Sequence, residues 1–360
     1  MSVSIEKSGP FGHAQSSVSK TMSTVLVALL PATLFNVWLF GWPALLMFLI
    51  TVGACIAFEA GCLAWQDRPV KSALFDGSAT LTGWLLAMSL PPWTPWWIGV
   101  LGAFLAIVLA KHIYGGLGQN VFNPAMVGRV GLLVSFPVQM TAFVPPKPLF
   151  TDGAPSLIDS LGMVFGGGLS NMDSISAASA LGHIKTELTK GVPVSESLPQ
   201  VFDLTSMLTG MHIGSFGETS AILILLGGLF LIWRGVISWH TPVGLMGTLF
   251  VCAQISHMAA PERFASGTFH LLAGATFLGA FFIATDYVTS PISKKGQLVY
   301  GMGCGFLIWV IRCFAGYPEG VAFAVLLMNA LTPVIDHHVR PRTFGRNSKG
   351  EPLSVKGDGK

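Results

Sequence analysis

Charge is what this sequence has least of. Only 10% of its 360 residues are Asp, Glu, Lys or Arg, while 52% are hydrophobic and the mean hydropathy is +0.65. A soluble domain carries about 25% charged residues, so the composition excludes that class and indicates a membrane protein. Paired cysteines are missing too. Cys55, Cys62, Cys252, Cys304 and Cys313 all lie in apolar segments with no C-x-x-C spacing, which excludes a disulfide framework and a ferredoxin-type cluster. Cys55 and Cys62, seven apart on one helix face, read as small buried hydrophobes. The first twenty residues contain no succession of charged region, apolar core and small-residue cleavage site, so they read as a short polar tail and not a removable leader. The net charge of +3 is spread over short connections and marks no nucleic-acid surface. The run FGGGLS (165–170) has no following Lys-Ser/Thr and reads as a hinge instead of a phosphate loop. Histidines 112, 240, 257, 270, 337 and 338 show no paired spacing for haem and read as interfacial or packing residues.

Apolar segments are abundant. Crossing a bilayer takes about 20 apolar residues, and candidates fall near 22–42, 43–65, 79–91, 95–114, 121–137, 219–238, 241–260, 269–287, 297–315 and 319–337. The third is short and ends at Pro91-Pro92, the mark of a broken or tilted helix. Ten spans place both termini on one side. That side would hold fourteen cations: Lys7, Lys20, Arg68, Lys71, Lys111, Arg234, Lys294, Lys295 and six in the C-terminal tail. The other side would hold five: Lys147, Lys185, Lys190, Arg263 and Arg312. Positive-inside bias then makes both termini cytoplasmic and turns the 138–218 loop outward. Seven acids against three lysines in that loop suit a translocated segment. Trp93, Trp96 and Trp97 mark an outer membrane boundary.

The stretch GSATLTGWLLAMSLP (77–91) is echoed by AGATFLGAFFIATDY (273–287), with Ala79, Thr80 and Gly83 matching Ala275, Thr276 and Gly279. Each copy is followed by an apolar span and a Gly-rich turn, YGGLGQN (114–120) or AGYPEG (315–320). Two five-span halves around the loop would have opposite orientation, because five is odd. The expected fold is therefore an all-α polytopic membrane protein of about ten transmembrane helices in two inverted five-helix repeats, with a large extracytoplasmic loop. Its parts are a tail (1–21), a first repeat (22–137), the loop (138–218), a second repeat (219–338) and a basic cytoplasmic tail (339–360). Inverted repeats place ligand sites near small-residue or broken helices at mid-membrane, which makes Thr80 and Thr276 candidate cofactor-binding residues. Packing selection for small residues would give a weaker version of the same likeness.

Four stretches, DGSATLTGWLLAMSLPP (76–92), YGGLGQNVFNPAMVGR (114–129), LLAGATFLGAFFIATDYVT (271–289) and GYPEGVAFAVLLMNALTPVID (316–336), resemble the RnfD/NqrB family over roughly residues 20–345. The resemblance implies an inverted-repeat fold similar to urea and ammonium channels. It implies a subunit of a bacterial inner-membrane complex passing electrons between ferredoxin and NAD, coupled to proton or sodium movement. Its partners would be RnfA, RnfB, RnfC, RnfE and RnfG, a flavin transferase for maturation and the lipid bilayer, with no complete active site on this chain alone. It also implies FMN joined by a phosphoester to a hydroxyl residue of the outward loop, and a second, non-covalent flavin (riboflavin) within the membrane.

The family's attachment motif is similar to D-x-x-S-G-A-T. In NMDSISAASALG (171–182), Asp173, Ser176, Ala178 and Ser179 occupy its positions, with Ala177 in place of Gly and Ser179 in place of the acceptor Thr. Serine offers the same nucleophilic oxygen with less crowding. Thr80 and Thr276 are unsuited as acceptors, because they fall within spans and have Leu74 and His270 where the acid belongs. The second flavin would rest against Asn120 and Asn123, although Asn123 before Pro124 is equally a helix-cap signal. Arg129, deep in a span, would meet a flavin phosphate, a ring carbonyl or Glu59; Glu59, Lys111 and Asp286 are further ionisable residues at membrane depth, of which Lys111 and Asp286 could merely snorkel. The competing function is a channel or transporter on the same repeat, which has no reason to carry the D-x-x-S-x-A-S loop.

Overall fold

The computed structural model describes residues 17–151, 153–166 and 178–340, the Ser72 side chain excepted. Among these residues the chain is helical, with no β-strand. Five helices are long and apolar enough to cross a membrane: Val18–Phe40, Trp42–Trp65, His240–Ala259, Lys294–Phe314 and Val321–His338. Trp96–His112, Pro124–Ser135 and Ala221–Trp233 are shorter apolar helices. Local chemistry sets the ends. Ser17 caps the first helix by accepting from Lys20 N at 3.2 Å, and Gly41, at φ 79°, ends it and starts the next. Few side chains other than glycine tolerate that left-handed turn.

The 79–91 segment forms a 12-residue helix, Ser78–Ser89, and stops before Pro91-Pro92 as its sequence requires. The 269–287 segment departs from the single span that its hydropathy suggests. It is broken into Gly267–Leu272, Thr276–Leu278 and a π-helical turn, Gly279–Ile283. Gly274, at φ 71°, leaves the helical region at the break. A second π-helical stretch, Leu105–His112, ends the helix that begins at Trp96.

Packing has a common plan in the two halves. Trp42–Trp65 packs on Ser78–Ser89 and Trp96–Phe104, as His240–Ala259 packs on Gly267–Leu272 and Lys294–Phe314. Val18–Phe40 meets Ala221–Trp233, and Pro124–Ser135 meets Val321–His338. Small residues permit the close crossings. A Cβ on Gly305 would collide with the Leu245 carbonyl oxygen, and one on Gly279 would collide with Val321 Cγ1.

The 138–218 segment lies at the end of the bundle where the first helix finishes. Trp93 Nε1 donates to Phe40 O at 2.9 Å and Lys147 N to Leu39 O at 3.0 Å. It carries the helices Leu157–Phe165, Ala180–Thr189, Val194–Val201 and Leu204–Thr209. A small apolar cluster of Leu181, Ile184, Val194, Ala265, Phe269 and Ala273 fastens it to the broken third element of the second half. That contact fixes the position of residue 179.

Candidate functional site

Polar groups buried among these helices collect in three places. The first is at the end where the first helix starts. Glu59 Oε1 lies 2.8 Å from Lys111 Nζ, and Glu59 Oε2 lies 3.1 Å from His112 Nε2. Lys111 also donates to Ser78 Oγ at 2.8 Å. Successive residues of the π-helical stretch thus meet one carboxylate. Lys111 is only 1% exposed, so it is a buried ion-pair partner and not a snorkelling cation. Beside it runs a cleft of about 820 Å³, its open mouth included, lined by Asn120, Asn123, Thr82, Lys111, Phe282 and Asp286 among others.

Asn123 performs the capping role. Its side chain accepts from Met126 N at 3.3 Å and donates to Ile283 O at 3.5 Å, while Pro124 takes the first helical position. Asn120 donates to Phe122 O at 3.1 Å. The cleft therefore brings Asn120 and Asn123 together, between the short helix Ser78–Ser89 and the π-turn that holds Phe281 and Phe282. It does not include Thr80, Thr276 or Arg129.

The second place is near the opposite end. Arg129 Nη2 donates to Glu319 Oε2 at 2.5 Å, not to Glu59, and the buried Glu218 lies within electrostatic reach of both. Arg312 bridges the broken element: its guanidinium donates to His270 O at 2.5 Å, Ala273 O at 2.9 Å and Thr276 Oγ1 at 3.0 Å. Carbonyls left without helical partners at the break are satisfied there, as membrane depth demands. Thr276 serves this join. Sequence reading placed Arg312 among boundary cations and gave Glu218 and Glu319 no role; an arginine within the 297–315 span was the available signal.

The third place is Ser179. Its hydroxyl caps Ala180–Thr189, accepting from Gly182 N at 3.3 Å. A hollow lined by Thr141, Phe143, Ala178, Ser179, Gly182 and Lys185 among others opens beside it. Lys185 donates to Ile311 O at 3.3 Å and Tyr317 O at 2.6 Å, and burial holds its ammonium below the usual lysine pKa. Ala178 borders the hollow; Asp173 and Ser176 lie outside the described residues.

Long apolar helices, a broken element and ionic groups paired at depth define the class: a polytopic helical membrane protein with buried charged sites. The chain matches the model of the NQR2, RnfD, RnfE family over residues 5–345. It is 49% identical over 98% of both chains to the D component of the ion-translocating oxidoreductase complex of Halorhodospira halophila. The component of that name from Stutzerimonas stutzeri is 50% identical, over 94% of this chain and 95% of that one. That of Citrobacter koseri is 43% identical, over 94% and 98%. The chain belongs to the NQR2, RnfD, RnfE family.

Proposed function

We propose that this chain is the membrane subunit that relays electrons in an ion-translocating oxidoreductase complex, through FMN joined by its phosphate to Ser179. The relatives' name supports the complex. The observation that carries the attachment is the place of Ser179: the capping residue of a helix, beside a hollow, in the 138–218 segment. The residues fit the group. A helix N-terminus presents unpaired N–H groups and a partial positive charge to a phosphate, and Lys185 adds an ammonium to the same hollow. Ser179 is itself buried, and Gly182 spares its hydroxyl the Cβ that would stand 3.4 Å away, while Phe143 offers an apolar wall. Flavin supplies electron-transfer chemistry that no side chain here provides. The protein's share is to hold the phosphate, orient the ring and keep water from the path.

The cleft at Asn120 and Asn123 is the proposed seat of a second, non-covalent flavin such as riboflavin. Its lining is mostly apolar with the two asparagine side chains set into it, the make-up usual for a small-molecule site. Arg129, Thr80 and Thr276 are not part of that seat. The matched packing of the two halves supports an inverted repeat of about ten crossings, several of them short or broken. Both termini face the cytoplasm of the bacterial inner membrane, on the cation distribution. Other subunits of the complex deliver and remove the electrons, and a flavin transferase completes the outward loop.

In-gel fluorescence of the denatured chain tests the attachment, because only covalent flavin survives unfolding. Ser179→Ala abolishes the signal and Ser179→Thr keeps it. A signal that persists in Ser179→Ala refutes the attachment and returns the loop to ordinary structure.

A further inference from the structure

The cluster of Glu218, Glu319, Arg129 and Arg312 is not used by the electron relay. Four elements build it. Glu218 comes from the turn ahead of Ala221–Trp233, and Glu319 from the turn ahead of Val321–His338. Arg129 comes from Pro124–Ser135 and Arg312 from Lys294–Phe314. Glu218, Arg129 and Arg312 are 4%, 4% and 5% exposed. Gly214 makes room for the first carboxyl: a Cβ there would stand 2.9 Å from Glu218 Oε2.

Glu218 forms no ion pair among the described residues, and neither Glu218 Oε1 nor Glu319 Oε1 has a hydrogen-bond partner there. A buried carboxyl with no cation paired to it keeps a proton, because the ionised form would stand uncompensated away from water. Arg129 neutralises the charge on the Glu319 side through the 2.5 Å contact. Arg129 Nη1 and Arg312 Nε are buried without partners among the described residues, so the cluster keeps donor capacity in reserve.

We propose that Glu218 and Glu319 form a binding site for one exchangeable proton, with Arg129 and Arg312 as its fixed counter-charges. With the proton bound, two guanidiniums face one carboxylate and one neutral acid. When the O–H bond breaks and the proton leaves, two guanidiniums face two carboxylates and the cluster is neutral. Neither state leaves a lone buried anion, which is the state that membrane depth penalises most. Uptake is favoured when negative charge arrives nearby, because the protonated cluster carries one net positive charge. The other charged or titratable groups around the cluster are His270 and Lys185, which face Arg312, and the Cys313 thiol. The two guanidiniums select a proton over a metal cation, which needs a shell of oxygens and is repelled by them. The turn that carries Glu319 also supplies Gly316 and Pro318 to the hollow at Ser179. The assignment stands whether or not Ser179 carries flavin.

Infrared spectroscopy of the purified intact complex in H2O and D2O tests it. Wild-type protein shows the carbonyl stretch of a protonated carboxyl that shifts on deuteration. Glu218→Gln removes that band and remains assembled, since a neutral amide replaces a neutral acid of the same shape. A Glu218→Gln complex that assembles and retains the band overturns the proposal. So does a wild-type spectrum with no deuterium-sensitive carboxylic acid, a measurement that needs no variant.

Discussion

The buried pair of Glu59 and Lys111 should be worth far more when broken than when absent. Replacing Lys111 with Met removes the ammonium 2.8 Å from Glu59 Oε1 and leaves the carboxylate with His112 Nε2 at 3.1 Å. His112 Nε2 then remains as the neighbour of the carboxylate. Replacing Glu59 with Gln leaves Lys111, 1% exposed, with only the Ser78 hydroxyl and an amide oxygen. Removing one partner of a buried pair costs about 3–5 kcal/mol, whereas replacing both by apolar groups of similar volume is near neutral. Lys111→Met should therefore fall near the low end, about 3 kcal/mol, and Glu59→Gln near the high end, about 5 kcal/mol. The double variant Glu59→Met/Lys111→Met should lose less than either, so in the cycle with Glu59→Met and Lys111→Met the non-additivity should exceed about 5 kcal/mol, the sum of the single losses less that of the double. The assay is the unfolding midpoint of the purified protein in detergent across a double-mutant cycle. Single variants within about 0.5 kcal/mol of wild type would place the pair in the class of solvated surface bridges and refute the reasoning.

Gly279→Ala should destabilise by about 1–3 kcal/mol, as overpacking does, because the new Cβ meets Val321 Cγ1; Val321→Ala in the same chain should recover most of the loss, and an unfolding midpoint indifferent to the second change would contradict the contact. Replacing both Asn120 and Asn123 with Leu should deplete extractable flavin about tenfold while covalent flavin stays, since a lost buried hydrogen bond costs ~1–3 kcal/mol. Unchanged flavin with lower stability would leave Asn123 only its observed capping role. A membrane-impermeant thiol reagent should label Lys190→Cys from outside and Lys349→Cys only after lysis; the reverse pattern would invert the orientation.

The sequence by itself determined the solvent, the helical class and several helix ends. Ten percent charge requires burial in lipid, where every backbone group must find an internal partner and only helices remain for a chain of this pattern. Pro91-Pro92 stops Ser78–Ser89, and Asn123-Pro124 starts the next helix, because the restrictions of proline and the reach of an asparagine oxygen are local. The resemblance to the family motif singled out Ser179 as a proposed acceptor, and its capping position follows from short-range chemistry. Only the tertiary structure decided how charges pair. The sequence left Arg129 to a flavin phosphate, a ring carbonyl or Glu59, but Glu59 lies against Lys111, 52 residues away, and Arg129 against Glu319, 190 residues away. The break within 269–287 was likewise hidden from hydropathy. Arg312, 36 residues beyond Thr276, donates to the carbonyls that the break leaves loose. A helix end is fixed by neighbours within one turn, whereas the partner of a buried charge is whichever opposite group the folded helices bring within hydrogen-bonding reach.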